Sequence, residues 1–310
     1  KWVFDIDKKK NEKRNFILFV IFSVIGLGLI GGSLCRALKA KTSHTVYGIS
    51  RSESTMQKAE LCKAIDIRLT KDNAKDLDVL YITLYPRAIE DSLDEWVPYL
   101  KDGCIVIDCG GTKRRICKKM LELHEKFPNV IFAGGHPMAG REFSGFSHSQ
   151  AALFEKATML IVPIKTPLDA LVKIKELSLE LGFEGLVITT PTEHDEMISF
   201  TSQLAHIVSS SYIKNPLATT HYGFSAGSFR DMTRVAKLNP EMWSEIMLDN
   251  KDYLVEQIQD LQNNLEAFKK ALDNNDKDKL EKLLDEGRVA KEEVESLRAK
   301  KLKERIKNGN

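Results

Sequence analysis

Val24-Ile25-Gly26-Leu27-Gly28-Leu29-Ile30-Gly31-Gly32-Ser33 decides how this chain is read. The run contains G-x-G-x-x-G. It follows an apolar, β-branched segment and opens onto a helix-like stretch, Ser33–Lys41. A strand, a tight glycine turn and a helix N-terminus together cradle the pyrophosphate of a dinucleotide. The first glycine permits the turn, the second lets backbone approach phosphate, and the third lets helix and strand pack closely. Gly26, Gly28, Leu29, Ile30 and Gly31 are therefore the candidate cofactor-binding residues.

A membrane reading competes for the same residues. Phe16–Cys35 carries no charge and follows the basic run Lys8–Arg14. Its length matches the ~20 apolar residues of a membrane span, and its flank imitates a signal peptide. Gly28 and Gly32 form a G-x-x-x-G pair, the packing pattern of membrane helices. Against this, the second half is glycine-rich and turns into the amphipathic Leu34–Leu38, and no small-residue cleavage pattern follows. A buried parallel strand is also a continuous apolar run, so a strand and no membrane contact are expected.

Composition narrows the class. With 46 Lys+Arg against 44 acidic residues, the net charge of +2 gives no bulk drive toward nucleic acid or anionic lipid. The five cysteines, Cys35, Cys62, Cys104, Cys109 and Cys117, form no C-x-x-C pair and no His/Cys cluster. Scattered thiols fit a cytoplasmic protein with reduced cysteines and no metal site.

At 310 residues the chain suits two domains. Residues 1–15 read as a solvated extension. Residues 16–190 alternate strands with helices, with strands expected at Phe19–Ile25, Thr45–Ile49, Asp78–Thr83, Cys104–Asp108, Val130–Ala133, Met159–Pro163 and Gly185–Ile188. That alternation predicts an α/β, doubly wound parallel sheet. Residues 191–310 read as a mostly helical second domain.

An acidic residue ~20 positions past the glycines would bond the adenosine ribose and select NAD. Here Ser50 lies 22 residues after Gly28, in Ser50-Arg51-Ser52, and the first carboxylate is Glu53. A carboxylate repels a 2′-phosphate, whereas Ser50, Arg51 and Ser52 donate to one. NADP is expected in preference to NAD; Arg51 stacked on adenine would leave both usable.

His136 stands in Gly134-Gly135-His136-Pro137-Met138-Ala139-Gly140, after the fifth expected strand. A histidine there suits acceptance of a hydroxyl proton near neutral pH. By itself, a loop histidine between glycine and proline reads equally well as structural. Ser202 and His206 are four apart on a long helical pattern, and so share a face. Asp231 and Arg234 are three apart, and such an Asp orients an Arg toward an anionic substrate, unless the two are only a surface pair.

Together Val24–Ser33, Gly135–Glu142 with Ser144-Gly145, Pro191–His206 and Gly227–Trp243 resemble the prephenate and arogenate dehydrogenase family. The resemblance implies a nucleotide-binding domain joined to a helical domain that forms a homodimer. It also implies oxidative decarboxylation of a cyclohexadienol, prephenate giving 4-hydroxyphenylpyruvate in tyrosine biosynthesis. His136 then bonds the ring hydroxyl, and Arg234 binds a substrate carboxylate. Asp231 positions Arg234, Trp243 packs behind it, and Ser202 and His206 line the pocket. A family serine is replaced by Gly111, so Thr112 either supplies that hydroxyl or the contact is absent. Arg141 stands where a threonine is common and would meet a substrate carboxylate or a phosphate. Glu142 would face the ammonium of arogenate, which keeps an NADP-dependent arogenate dehydrogenase as the alternative. A non-catalytic NADP-sensing module is the alternative from another class.

Overall fold

The structure, a computed structural model, describes residues 19–308; the expected extension 1–15 lies outside the described residues. Two compact units are present, one ending at Lys251 and the other beginning at Asp252.

The first unit is built on strands β1 (Ile21–Ile25), β2 (Thr45–Ile49), β3 (Ile67–Arg68), β4 (Val79–Ile82), β5 (Ile105–Asp108), β6 (Ile131–Pro137), β7 (Thr158–Ile164) and β8 (Gly185–Ile188). Between them run helices α1 (Leu29–Lys41), α2 (Glu53–Leu61), α3 (Pro86–Trp96), α4 (Arg114–Lys126) and α5 (Leu168–Leu181). The strands form one sheet in the order β3-β2-β1-β4-β5-β6-β7-β8. The order reverses between β1 and β4, the crevice where such sheets bind ligands beyond the strand C-termini.

Side chains alternate across the sheet and feed two cores. Phe22, Val24, Tyr81, Ile107 and Ile161 pack on one side with Leu34 and Leu38 of α1 and Ile174 and Leu177 of α5. Leu80, Ile82, Val106, Phe132 and Val162 pack on the other with Ile89 and Leu93 of α3 and Ile116 and Met120 of α4. Each such side chain contributes roughly 1.5–3 kcal/mol on burial.

Two expectations need correction. The sheet is mixed, because β6 and β7 pair antiparallel. A parallel pair needs a crossover of a dozen or more residues, usually a helix. The β6–β7 connection carries only a single 3₁₀ turn, Phe146–His148, and the chain returns in the opposite direction. β6 also runs past Ala133 through Gly134, Gly135, His136 and Pro137, with His136 opposite Leu160. His136 is thus a strand residue rather than a loop residue.

Where the competing reading would put a membrane helix, the described residues form β1, a turn and α1, as expected; no described helix is long and apolar enough to cross a membrane. All five cysteines are unpaired.

After β8, Thr190 caps α6 (Pro191–Ile198) by accepting from Glu193 N at 3.1 Å. Proline at the first helical position and glutamate at the third complete the start signal. A π-helical segment, Ser199–Leu204, leads into α7 (Ala205–Tyr212). Next come α8 (Gly227–Thr233), a 3₁₀ turn over Arg234–Ala236, and α9 (Pro240–Asp249), capped by Asn239. These helices belong to the same compact unit as the sheet. The second unit consists of α10 (Lys251–Asp273) from Asp252 onward and α11 (Lys277–Asn308).

Candidate active site

The glycine turn is built for a phosphate. Gly26 has φ +94°, and a Cβ there would lie 2.6 Å from Thr83 O. A Cβ at Gly31 would lie 2.0 Å from Gly26 O, so only glycine lets α1 seat against the turn. Gly28 differs: a Cβ there meets no atom within 4 Å. Its backbone faces open space at the start of α1, where Leu29 and Ile30 open the first turn and no acidic side chain stands. The first N–H groups of a helix lack intrahelical partners and carry the positive end of its dipole. The residues present therefore fit a dinucleotide pyrophosphate.

At the end of β2, Ser50 Oγ accepts from Ser52 N at 3.4 Å. Ser52 Oγ caps α2, accepting from Thr55 N at 3.3 Å, so this hydroxyl has a structural task as well. Arg51 is exposed. The nearest carboxylate, Glu53, is engaged by Arg68 at 2.8 and 2.9 Å, and Arg68 also holds Glu60.

At the same C-terminal edge of the sheet, His136 is tied to two residues that sequence reasoning did not single out. Its Nδ1 lies 2.8 Å from His194 Nε2, and His194 Nδ1 lies 2.7 Å from Asp195 Oδ1. Asp195 also caps α4, accepting from Lys113 N at 2.7 Å and Arg114 N at 2.9 Å. Asn250 Nδ2 donates to the Asp195 carbonyl at 2.8 Å. Burial, then the charges of His194 and Lys113, hold the His136 imidazole well below the ordinary histidine range. Burial likewise lowers His194, opposed by its bond to Asp195. Asp195 is held below the usual carboxylate range, because the bonds from His194 and the two backbone amides outweigh the opposing effect of burial.

Beneath this chain lies a fully buried ion pair, Asp108–Lys113. Asp108 further accepts from Gly110 N at 2.8 Å and Gly135 N at 3.2 Å. It thereby joins the end of β5 to the β6 segment that carries His136.

The substrate-side candidates form a second group. Arg234 pairs with Glu142, not with Asp231, which is exposed on α8. The expected Asp231–Arg234 pair is replaced because Arg234 opens a tighter 3₁₀ turn and reaches across to the β6–β7 connection. Arg141 and Lys237 each lie 5.7 Å from the Phe143 ring. Arg234 and Arg141 thus act on the Glu142 carboxylate, while Lys237, which was not foreseen, lies by the adjacent Phe143 ring. Excess positive charge of this kind suits a dianion.

His206 Nδ1 donates to Ser202 O at 2.8 Å, one helical turn back. The Ser202 contact is thus through its carbonyl. Trp243 lies against His206 with ring centroids 3.8 Å apart. Burial, against the bond to Ser202 and with the Arg234 charge, lowers the His206 imidazole. Thr112 is buried, and its hydroxyl lies 3.5 Å from Asp249 Oδ2. Among the described hydrogen bonds it does not reach His136.

The family model of the prephenate dehydrogenase nucleotide-binding domain matches residues 34–187, and that of the prephenate dehydrogenase dimerization domain matches residues 190–286. The chain is 31% identical to the cyclohexadienyl dehydrogenase of Zymomonas mobilis, over 85% of this chain and 92% of that one. It is 30% identical to the prephenate dehydrogenase of Lactococcus lactis, over 88% and 77%. Among solved structures, Synechocystis arogenate dehydrogenase superposes with a TM-score of 0.74 at 25% identity, covering 88% of this chain and 99% of that one. Aquifex aeolicus prephenate dehydrogenase, solved with hydroxyphenyl propionate and NAD+, shares the fold with a TM-score of 0.76 at 24% identity, covering 89% and 98%.

Proposed function

The chain belongs to the prephenate dehydrogenase family of nicotinamide-dinucleotide oxidoreductases, and from that premise we propose that it oxidises and decarboxylates prephenate, with NADP preferred over NAD. The observation that carries this reading is His136, placed at the C-terminal end of β6 on the same sheet edge as the β1 glycine turn and bonded to His194, with its imidazole lowered by burial.

The bound dinucleotide supplies the hydride acceptor. His136 faces the ring hydroxyl and takes its proton as that carbon becomes carbonyl-like. Loss of carbon dioxide from the opposite ring carbon returns electrons to the ring, and His136 gives the proton back as the phenol forms. No net proton is consumed, so a neutral imidazole that cycles once suits the task. Arg234 and Arg141, both acting on Glu142, and Lys237 by Phe143 hold the carboxylates and orient the ring for transfer. Gly26, Gly28, Leu29, Ile30 and Gly31 hold the pyrophosphate; Ser50 and Arg51 bind the 2′-phosphate, with Ser52 shaping the turn. Thr112 supports this site from behind, through Asp249.

A second reading is arogenate as substrate. With Nδ1 donating to Ser202, neutral His206 presents Nε2 as an acceptor, which suits an ammonium better than a keto oxygen. Against it, the carboxylate of Glu142 already meets Arg234.

A homodimer is the proposed assembly. Phe200, Leu217, Tyr222 and Phe224, all more than half exposed, lie in the stretch matched by the dimerization model. Exposed apolar groups of this size suit a partner surface.

Initial rates with prephenate or arogenate, each with NADP or NAD, test the reading. Fastest reduction of NADP with prephenate supports it. Turnover of arogenate alone supports the second reading, and turnover of neither, despite dinucleotide binding, overturns both.

A further inference from the structure

The hydrogen-bond chain behind His136 has a direction that its acceptors impose. Asp195 is the terminal acceptor. Its Oδ1 takes Lys113 N–H and faces His194 Nδ1, and its Oδ2 takes Arg114 N–H, with Arg114 Nε at 3.3 Å. Three donors besides His194 on one carboxylate leave it ionised and without a proton to give. His194 Nδ1 must then carry the hydrogen. A neutral His194 consequently has a bare Nε2, and that atom lies 2.8 Å from His136 Nδ1. His136 must donate from Nδ1, so its own Nε2 is left unprotonated.

We infer that His194 and Asp195 are positioning residues that fix His136 in the Nδ1–H tautomer, leaving Nε2 as the proton acceptor of the reaction. The inference rests on the role given to His136 in the proposed function. The residues are well placed for it. The His194 side chain is fully buried, on the first turns of α6, while His136 lies partly exposed at the end of β6. Among the described residues, no other donor is bonded to the His194 ring. When His136 gains a proton at Nε2, its Nδ1–H points at His194, and the Asp195 charge stabilises the imidazolium through that ring. An aspartate serves a histidine base in this way in the serine-protease triad; here one further imidazole stands between them. Asp195 also pins the start of α4, so the ring is held in orientation as well as in tautomer.

Histidine-labelled full-length protein, observed by nitrogen-15 NMR of the imidazole rings, reads the tautomer without substrate. The wild type is expected to show His136 protonated at Nδ1 only. In Asp195→Asn the amide donates to His194, the chain reverses, and His136 should become protonated at Nε2. Turnover should then fall by about 10²-fold or more, with KM for prephenate unchanged. Because Asp195 also caps α4, His194→Leu and His194→Gln provide the second test. Leucine should release the tautomer and lower kcat; glutamine, whose oxygen can accept from Nδ1–H, should restore much of both. A wild-type His136 protonated at Nε2 would overturn the inference. So would an Asp195→Asn or His194→Leu protein with unchanged tautomer and kcat. A correct tautomer in a protein that oxidises neither substrate would uphold the relay and refute the proposed function instead.

Discussion

Lys113 and Asp108 form an ion pair in which neither side chain has any solvent exposure. The pair stands at the β5–α4 turn, and Asp108 also holds the Gly135 amide beside His136. Two charges out of water are tolerated because Asp108 accepts from two backbone amides as well as from Lys113. Asp108→Asn strands a buried ammonium. It should destabilise the protein by about 3–5 kcal/mol, the usual effect of removing one partner of such a pair. Chemical denaturation checks this; an unchanged midpoint would mean that water reaches Lys113.

Arg234 meets Glu142 across 92 residues of sequence. If that guanidinium binds a substrate carboxylate, Arg234→Gln should raise KM about tenfold or more, about 1.4 kcal/mol of binding per decade, and leave kcat largely intact. Steady-state kinetics distinguish this from a structural role, in which KM would not move.

Ser50 and Arg51 set the cofactor expectation. Ser50→Asp places a carboxylate where the 2′-phosphate would bind and should turn the preference toward NAD. The ratio of kcat/KM for the two cofactors is the measurement. A retained NADP preference would place specificity elsewhere, and Arg68 is the next cation to alter, because it neutralises Glu53.

The sequence was legible where structure is local. The strand–glycine–helix start, β2 and β8 lie where the apolar pattern predicts them. The antiparallel β7 was not legible, since strand direction depends on what the connection contains. β6 was cut short because Gly134-Gly135-His136-Pro137 has the composition of a turn, yet its backbone pairs with β7. The Glu142–Arg234 pair and the His136–His194–Asp195 chain join residues far apart in sequence. The one local clue to the latter was the start signal Thr190-Pro191-Thr192-Glu193, which places His194 and Asp195 at the head of a helix.

The histidines also predict how the fold responds to acid. His136 and His194 titrate lower in the folded protein than the ordinary histidine value of about 6.5. Below about pH 6.5 the unfolded chain takes up protons that the folded state refuses, so stability falls as pH falls through that value. Asp195, held below the usual range, adds a second loss once pH drops below about 4. Melting temperature followed from neutral to acid pH should decline in these two stages. A melting temperature flat across the histidine range would show that the two rings protonate freely in the fold.

In the proposed reaction His136 carries the proton during oxidation of prephenate. Turnover of prephenate with NADP by wild type and by His136→Asn, side by side at equal folded concentration, tests it most directly. The wild type should give NADPH and carbon dioxide in equal amounts, and the variant should lose about 10²-fold or more of that turnover. Equal turnover by the two proteins would contradict it.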